Sequence, residues 1–467
     1  MKHMMVGMIA CKPRAVLRVL LVSMATFTAG YLFLIDFHTA THTHQHIMDT
    51  NERSRYFFEM AKSQIDGSNM ESFNGSTISV LTNVLSARPN YTYPIPHIDE
   101  SCYLLDKLSG EGMPDIHSVF IDNIAGHVVW NGLRFLVDKT GDIEYAMLYP
   151  NGVLHPCDPV IQDERNIGWM PQYMVVITCD LPVMYRDAAR ITVSLVSSEN
   201  NCYGNVTVCT SGASLRNKPF LAICTMLRSV DDFVPQWLDF HRYLGVDHVY
   251  LYDNELKEDT TLPETVKQYI DEGFVTWIPW HHSISLWKTY LEVQIAHEND
   301  CMWRHKYDVE WMIKIDVDEY VQPMNPNKTQ IPDYLHDPMY ENLAGVRLEN
   351  WFFGRPKRIG PKGTEVIQRN VWSAKEPTLQ QTGHDKNILR PMNVHYFKIH
   401  NVKLGGDMIS LNPYTELRMV HYRSDNKRAL HFELPDFVFR DFRMMQILKK
   451  ARGQWDQAEE ERSQNIT

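Results

Sequence analysis

The chain has 467 residues, of which 44% are hydrophobic and 22% charged, a composition typical of a globular protein of two to three domains with an ample core. Its first 18 residues include four basic and no acidic residues, so the remainder carries 42 basic against 57 acidic residues, a net charge of −15. This acidity argues against nucleic acid as a partner, because binding to phosphates needs a basic surface.

An uncharged apolar run, Val19–Ile35, follows the basic N-terminus. At about 1.5 Å per residue its length is near the short limit for a helix that spans a bilayer. The end of a membrane-spanning helix that carries the positive charges usually stays in the cytosol. We therefore expect a cytosolic tail at residues 1–18, a transmembrane anchor at 19–35 and a lumenal or extracellular body. A cleaved signal peptide is the alternative, with small residues for cleavage between Ala25 and Gly30.

Two features of the body favour the secretory pathway. Cysteines at seven positions beyond the anchor have spacings unlike a zinc site, so we expect disulfides. Five Asn-x-Ser/Thr sequons for N-glycosylation also follow the predicted anchor. Their asparagines are Asn74, Asn90, Asn205, Asn327 and Asn465. The first segment of the body, residues 36–95, contains polar patches rich in Thr and His and is predicted to be a stem.

Residues 96–215 are predicted to form a β-rich accessory domain with a sandwich-like arrangement. Short apolar runs alternate with turns that contain Gly, Pro, Asn and Asp. The clearest runs are Val128–Trp130, Met174–Ile177 and Ile191–Val196. We find no catalytic constellation in this region.

Residues 216–445 change to strands that alternate with helices. This order predicts a mostly parallel sheet with helices on both faces, an α/β fold. The predicted strands are Phe220–Leu227, His248–Tyr252, Phe274–Trp280, Trp311–Ile315 and Ala344–Leu348. The predicted helices are Val234–Leu244, Thr265–Ile270, Leu286–Trp303 and, at the end, Phe437–Arg452. A charged tail, residues 446–467, completes the chain.

Polar residues follow three of these predicted strands, namely Arg228, Asp253 and Asp316. Ligands bind at the carboxyl ends of strands in such sheets. Alternate residues of an extended chain point the same way, so Asp316 and Asp318 are expected to present two carboxylates to one point. Two carboxylates that close repel each other unless a cation bridges them. An oxygen-rich site of this kind suits Mn²⁺ or Mg²⁺.

Several of these segments, in this order, resemble glycosyltransferase family 92. The segments are Phe220–Cys224, Arg228, Pro235–Val246, Tyr252–Asn254, Asp316–Tyr320, Phe352–Gly354 and Lys386–His400. The resemblance covers roughly residues 219–425. It implies a GT-A fold, a nucleotide-sugar donor, a divalent metal, inversion at the anomeric carbon and a type II membrane protein of the Golgi. Characterised relatives include β-1,4-galactosyltransferases that transfer galactose from UDP-galactose to fucose of N-glycan cores.

The resemblance also suggests roles for single residues. A histidine at the distance of His400 after Lys386 is implied as a further metal ligand, with His421 as the second choice. Asp253 is implied to contact the nucleoside, and a turn before Asn254 is the alternative. Lys386 and Arg390, in a basic segment, are candidates for contact with the diphosphate. Arg228 either supports the nucleotide or pairs with Asp231 or Asp232.

Inversion needs a general base that takes the proton of the acceptor hydroxyl. Asp385 is the leading candidate, since it lies beside the proposed phosphate contacts, and Glu349 and Glu376 are alternatives. The aromatic residues Trp351–Phe353 form either an acceptor platform or part of the core. A catalytically silent glycan-binding protein with the same fold is the alternative to an enzyme.

Overall fold

The computed structural model describes residues 99–135, 144–162, 172–212, 218–284, 287–354, 366–378, 384–422 and 437–453. The predicted cytosolic tail, anchor and stem lie outside these residues, as does the chain after residue 453. Within the described ranges, no helix combines the length and the apolar character needed to cross a membrane. The domain boundaries given above stay predictions.

The first sheet contains seven antiparallel strands in the order β1-β2-β5-β4-β3-β6-β7. They are β1 Asp115–Asp122, β2 His127–Phe135, β3 Tyr145–Leu148, β4 Leu154–Gln162, β5 Gln172–Asp180, β6 Arg190–Ser197 and β7 Cys202–Cys209. The three runs predicted as strands lie in β2, β5 and β6.

The first sheet is rolled, and two packed sheets do not occur among its described residues. Ser211 N, just after β7, donates a hydrogen bond of 2.8 Å to Ile121 O in β1, so the two edges meet. A disulfide between Cys102 and Cys209 ties the same corner, and Cys157–Cys179 joins β4 to β5. The expected sandwich was wrong because closing the edges of one sheet also encloses a core.

Two further sheets follow. The second has the order β10-β9-β8-β11-β16-β13-β19 and the third β12-β20-β14-β15-β21. The second consists of β8 Leu221–Leu227, β9 His248–Asp253, β10 Val275–Pro279, β11 Trp311–Lys314, β13 Gly345–Leu348, β16 Lys386–Leu389 and β19 Met408–Ser410. The third consists of β12 Glu319–Pro323, β14 Asn350–Gly354, β15 Trp372–Ala374, β20 Leu417–Tyr422 and β21 Phe437–Arg440. Strands β17 Val394–Lys398 and β18 Asn401–Gly405 form a separate hairpin.

The helices are α1 Val234–Tyr243, α2 Leu262–Thr265, α3 Lys267–Asp271, α4 Trp287–Arg304, α5 Val366–Arg369 and α6 Arg443–Ala451. The predicted terminal helix is wrong in its first part, because Phe437–Arg440 pairs with β15 as strand β21. A helical pattern in the sequence does not exclude a strand when a distant edge offers hydrogen bonds.

The second sheet is a mixed sheet with helices on both faces. Strands β8, β9, β10 and β11 are parallel to one another, whereas β16 runs antiparallel to β11. Side chains of β8 alternate between the faces, as the period of a strand requires. Leu221 and Ile223 pack with α1, and Ala222 packs with α4. Helix α1 ends before Gly245, whose φ of 93° favours glycine.

Helix α4 is almost entirely buried because it packs against both the first and the second sheet. Asp300 accepts hydrogen bonds from Ser118 Oγ of β1 at 2.5 Å and from Tyr252 Oη of β9 at 2.7 Å. Arg304 donates to both oxygens of Asp300 at 3.0 Å. Burial opposes ionisation of Asp300, but Arg304 outweighs it and lowers the pKa of the carboxyl. A disulfide from Cys224 to Cys301 also joins β8 to α4.

This network generates a prediction about stability. Asp300→Ala leaves the buried Arg304 guanidinium without its partner, which typically costs about 3–5 kcal/mol in the free energy of unfolding. Asp271→Ala is the control, because Asp271 pairs with Lys267 on the surface and surface changes are usually within about 0.5 kcal/mol. Urea unfolding of both variants measures the difference. Equal midpoints would contradict a structural role for the buried pair.

Candidate active site

Asp316 and Asp318 lie in the connection from β11 to β12, at the carboxyl end of β11. Glu319 N donates to Asp316 O at 3.0 Å, so the connection is a turn. The expectation that both carboxylates point to one place assumed an extended chain. In the turn each carboxylate contacts a different side chain: Asp316 meets Lys386, and Asp318 meets His421.

Lys386 supplies a buried ammonium to two carboxylates. Its Nζ atom lies 2.8 Å from Asp316 Oδ2 and 3.1 Å from Glu319 Oε2. Burial acts to lower the pKa of Lys386, but the two carboxylates outweigh it and raise that pKa. Burial acts to raise the pKa of Asp316, and Lys386 holds it below its ordinary value. Glu319, only 1% exposed, keeps a raised pKa because burial dominates.

His421 lies opposite Glu319 because β20 pairs antiparallel with β12. Its Nε2 atom is 3.5 Å from Asp318 Oδ2, and its Nδ1 atom is 3.3 Å from Glu319 Oε1. A carboxylate on one side of the ring orients the other nitrogen, an arrangement common for histidines that bind metals. The structure therefore brings the second-choice histidine to the acidic turn.

The fit of a metal ion can be judged from these side chains. The described residues contain no group of three or more His, Cys, Asp or Glu side chains arranged to hold a metal ion. Asp318 and His421 nevertheless provide an oxygen and a nitrogen donor side by side, both of which are ligand types for divalent metals. Asp316, with 42% of its side chain exposed, completes the acidic face of the turn. These residues fit a divalent cation.

His400 occupies a different position. Its Nδ1 atom lies 2.7 Å from the backbone oxygen of Asp385. Burial lowers the pKa of His400 to about 3. The described residues show no hydrogen bond or ion pair between His400 and either aspartate of the turn, but the charges of Lys386 and Asp316 both act on its pKa, so His400 lies near the cluster. The metal role given to it stays a prediction.

The candidates for the general base differ in burial. Asp385 is buried directly before Lys386, and its Oδ1 atom accepts a hydrogen bond from Asn350 N at 3.3 Å. Burial raises the pKa of Asp385 against the opposing effects of Asn350 and Arg347. Glu349 is half-buried between β13 and β14, and Glu376 is exposed. Among these three, Asp385 is the only one that adjoins a residue of the Lys386 cluster in sequence.

Arg390 lies away from this cluster, which corrects the expectation that it accompanies Lys386. The segment after Asp385 is strand β16, not a basic loop, and it runs antiparallel to β11. Four residues of strand span about 13 Å, so Arg390 reaches the amino end of β11. There it stacks over Trp311 at 5.1 Å and lies 3.2 Å from Glu310 Oε1.

Arg228 directly follows β8, and Asp253 is the last residue of the adjacent strand β9, so both lie at the carboxyl ends of neighbouring parallel strands. Asp253 is buried, and Oδ2 accepts from Trp277 Nε1 at 2.9 Å and from Thr260 Oγ1. Its Oδ1 atom accepts a hydrogen bond from Glu255 N at 3.1 Å, which agrees with a turn-forming role. In the described part of the chain Arg228 makes no ion pair, with Asp231, Asp232 or any other carboxylate.

Of the aromatic residues Trp351–Phe353, two pack in the core and one lies beside the candidate site. Trp351 donates its Nε1 hydrogen to Ala374 O at 2.8 Å and packs against Arg418, and Phe353 is fully buried. Phe352 instead contacts His421 and His384, with ring centres 5.4 and 5.3 Å away. Only Phe352 therefore borders the acidic turn.

A polar pocket beside the turn was missed from the sequence. It is a narrow recess between α4 and the ends of β8 and β11. Its charged lining residues are Glu298, Lys314, Asp316 and Lys386. Burial raises the pKa of Glu298 to about 7 and lowers that of Lys314 to about 8. One feature of the sequence could have indicated it: Lys314 is a charged residue within the otherwise apolar predicted strand Trp311–Ile315.

Comparison with known proteins decides the family. Residues 221–464 match the family profile described as glycosyltransferase family 92, slightly more than half of the chain. The chain belongs to glycosyltransferase family 92. The profile match covers β8 to α6 and therefore includes every candidate site residue named above.

The relatives of this family 92 chain are distant. Glycosyltransferase family 92 protein Os08g0121900 from Oryza sativa subsp. japonica is 26% identical over 208 residues, 42% of this chain and 33% of the relative. Glycosyltransferase family 92 protein At1g27200 from Arabidopsis thaliana is 26% identical over 233 residues, which are 46% of this chain and 38% of the relative. The alignments thus span about a third of these relatives. Among solved structures, the crystal structure of S. aureus TarS 1-349 aligns with 50% of this chain and 71% of the TarS chain. The sequence identity is 12% and the TM-score is 0.27, a likeness too low to support an argument.

The Lys386 cluster predicts an effect on stability in this family 92 chain. Lys386→Met keeps the length of the side chain but leaves Glu319 buried without its cation, and we expect a loss of about 3 kcal/mol in the free energy of unfolding. The double variant Lys386→Met/Glu319→Gln should recover part of the loss, because only the partly exposed Asp316 then lacks its cation. Urea unfolding at pH 7 measures both.

Lys267→Met is the matched control, since Lys267 pairs with Asp271 at the surface and such pairs contribute little. If Lys386→Met unfolds at the same urea concentration as this control, the cluster does not stabilise the turn.

Proposed function

We propose that this chain is an inverting, metal-dependent glycosyltransferase that moves a hexose from a nucleotide-sugar donor to a hydroxyl group of a glycan. The observation that carries the proposal is the cluster of Asp316, Asp318, Glu319, Lys386 and His421 at the carboxyl end of β11, within the segment that matches family 92. The parallel strands β8 to β11, followed by antiparallel β16, support a GT-A fold.

The reaction is a single displacement. The acceptor oxygen forms a bond to the anomeric carbon as the bond from that carbon to the diphosphate oxygen breaks, and the electron pair of the broken bond leaves with the nucleoside diphosphate. The proton of the acceptor hydroxyl passes to a general base. Asp385, whose pKa is raised by burial, is our first candidate for this base, with Glu349 as the alternative.

The remaining residues bind and orient. Asp318 and His421, with Asp316, are the residues that would hold Mn²⁺ or Mg²⁺; the ion, when bound, offsets the charge that builds on the diphosphate. Lys386 positions Asp316 and Glu319 through its ion pairs. Arg228 and Asp253, at the ends of neighbouring strands, are candidates for contact with the nucleotide. His400 supports the backbone at Asp385.

UDP-galactose is the proposed donor and fucose of an N-glycan core the proposed acceptor, with a β linkage in the product. Both rest on the family alone. The proposed location is the Golgi membrane, with Val19–Ile35 as a type II anchor, because basic residues precede this apolar run. Protease digestion of sealed Golgi vesicles tests the location: cleavage of the intact body from outside would contradict it.

A donor screen on the purified full-length chain, with Mn²⁺ and N-glycan acceptors, tests the activity. We expect transfer that EDTA abolishes, and we expect Asp318→Asn to lower kcat by about 10²–10³, the size of effect seen when one electrostatic contact to the developing charge is lost. Linkage analysis of the product identifies sugar and stereochemistry. Glycan binding without transfer from any donor would favour the silent binding protein.

The two histidines give a matched pair of variants. His421→Gln should raise the Mn²⁺ concentration needed for half-maximal activity by about 10-fold or more, since metal-site partners are typically worth 10–100-fold. His400→Gln should leave that concentration within about threefold of wild type, because the Nδ1 atom of His400 is engaged by Asp385 O and the ring makes no hydrogen bond to the turn among the described residues. The reverse ranking in a metal titration would assign the ligand to His400 instead.

A further inference from the structure

The hairpin of β17 and β18 has an unusual backbone at its turn. Lys398 pairs with Asn401, so Ile399 and His400 alone form the turn. The φ angle of Ile399 is 51°, in the left-handed region, where hairpin turns of two residues normally have Gly, Asn or Asp. An isoleucine there is strained, because its branched side chain crowds the backbone. Strain of this kind persists only where the surrounding structure holds it, and it is concentrated at functional sites.

Helix α4 holds this hairpin through two consecutive residues. Glu298 Oε2 accepts a hydrogen bond of 2.7 Å from Ile399 N. Asn299 bonds both backbone groups of Phe397: its Oδ1 atom accepts from Phe397 N at 2.9 Å, and its Nδ2 atom donates to Phe397 O at 2.7 Å. Glu298 is 4% exposed and Asn299 is fully buried. The bond from Ile399 N to Glu298 therefore helps to offset the strain at Ile399.

The other side of the hairpin turn contacts the segment that begins β16. His400 Nδ1 lies 2.7 Å from Asp385 O, and because a carbonyl oxygen only accepts, Nδ1 donates the hydrogen. Asn387 Nδ2 donates to His400 O at 2.9 Å. These two bonds lie on either side of Lys386, whose ammonium pairs with the acidic turn. A chain of contacts thus leads from α4 through the hairpin turn to the candidate active site.

This chain of contacts gives Glu298 a role in the proposed reaction. We propose that Glu298 is a positioning residue: by holding the strained turn at Ile399, it fixes the segment with Asp385 and Lys386 beside the acidic turn. The role requires a side-chain oxygen that accepts from Ile399 N, and it does not require a negative charge. This inference rests on the proposed function, because a positioning role needs the transfer reaction.

Two variants of similar length separate the hydrogen bond from the charge. Glu298→Gln and Glu298→Met both remove the charge that acts on Lys314, but only glutamine keeps an oxygen that accepts from Ile399 N. The assay uses the full-length chain with Mn²⁺ and the donor and acceptor found in the screen. We expect kcat of Glu298→Met to be about tenfold or more below that of Glu298→Gln, since a displacement of about 1 Å can cost about 10² in rate. Glu298→Gln should stay within about threefold of wild type, because the bond is kept.

The substitution Ile399→Gly tests the route through the strained turn. Glycine adopts a positive φ without strain, so in this background the turn depends less on its bond to residue 298. The difference in kcat between Glu298→Met and Glu298→Gln should therefore shrink to about threefold or less. Deuterium exchange of the peptide with residues 394–405 is a second measurement. It should be faster in Glu298→Met than in Glu298→Gln, and equal exchange would contradict the role of the bond.

Two controls address folding and the effect of the substitution itself. Melting curves identify any variant that does not fold. In that case the same pair at Glu298 is compared in a Lys314→Met background, where no lone ammonium is buried. Glu264→Met makes the same change on the exposed surface of α2, and it should leave kcat unchanged.

The outcomes separate the two proposals. A kcat that is lower in Glu298→Met than in Glu298→Gln, with a difference that Ile399→Gly removes, supports the inference. Equal kcat values in the two variants, with transfer by wild type, would overturn the inference and leave the proposed function standing. A difference that Ile399→Gly does not reduce would also overturn it, since Glu298 would then act by another route. Failure of wild type to transfer from any donor would overturn both.

Discussion

The buried carboxylate of Glu319 joins the second and third sheets, and the geometry of the acidic turn depends on it. It accepts a hydrogen bond from Asp316 N at 2.8 Å, lies 3.1 Å from Lys386 Nζ of the second sheet and 3.3 Å from His421 Nδ1 of the third. A buried carboxylate is tolerated only with such partners. Because Glu319 holds these three groups in place, Asp316 and Asp318 remain as the more exposed acids at the end of β11.

Helix α4 has polar residues on two sides for two different reasons. Toward the first sheet, Asp300 and Arg304 satisfy each other and bind Ser118 and Tyr252, so every charge has a partner and the packing is fixed. Toward the acidic turn, Lys314 Nζ has no hydrogen-bond partner among the described residues, although the carboxylates of Glu298 and Asp316 raise its pKa against the effect of burial. A helix that is anchored this firmly on one side can present incompletely satisfied groups on the other, which is how proteins keep binding sites preorganised.

Local patterns predicted the parts of the fold that local interactions determine. Strands β8, β9 and β11 and helix α4 match their predicted bounds to within one or two residues, since apolar periodicity and flanking turns specify them. Strand β16 was not among the predicted strands, and β21 was taken for a helix, because each depends on a partner strand distant in sequence. The same reason explains the site: the register of β20 against β12 brings His421 to the turn, and the direction of β16 takes Arg390 away from it.

The balance of charge around the turn connects the fold with the proposed chemistry. Four carboxylates, from Glu298, Asp316, Asp318 and Glu319, face two ammonium groups, from Lys314 and Lys386. Carboxyl groups outnumber ammonium groups by two in the cluster, and the excess of negative charge that they carry repels an anionic diphosphate. A divalent cation beside Asp318 and His421 would cancel that excess, so donor binding and metal binding would be coupled. Under the proposed function, Lys386 is therefore less a ligand of the phosphates than a source of positive charge. It lowers the excess of negative charge to a level that one divalent ion can offset.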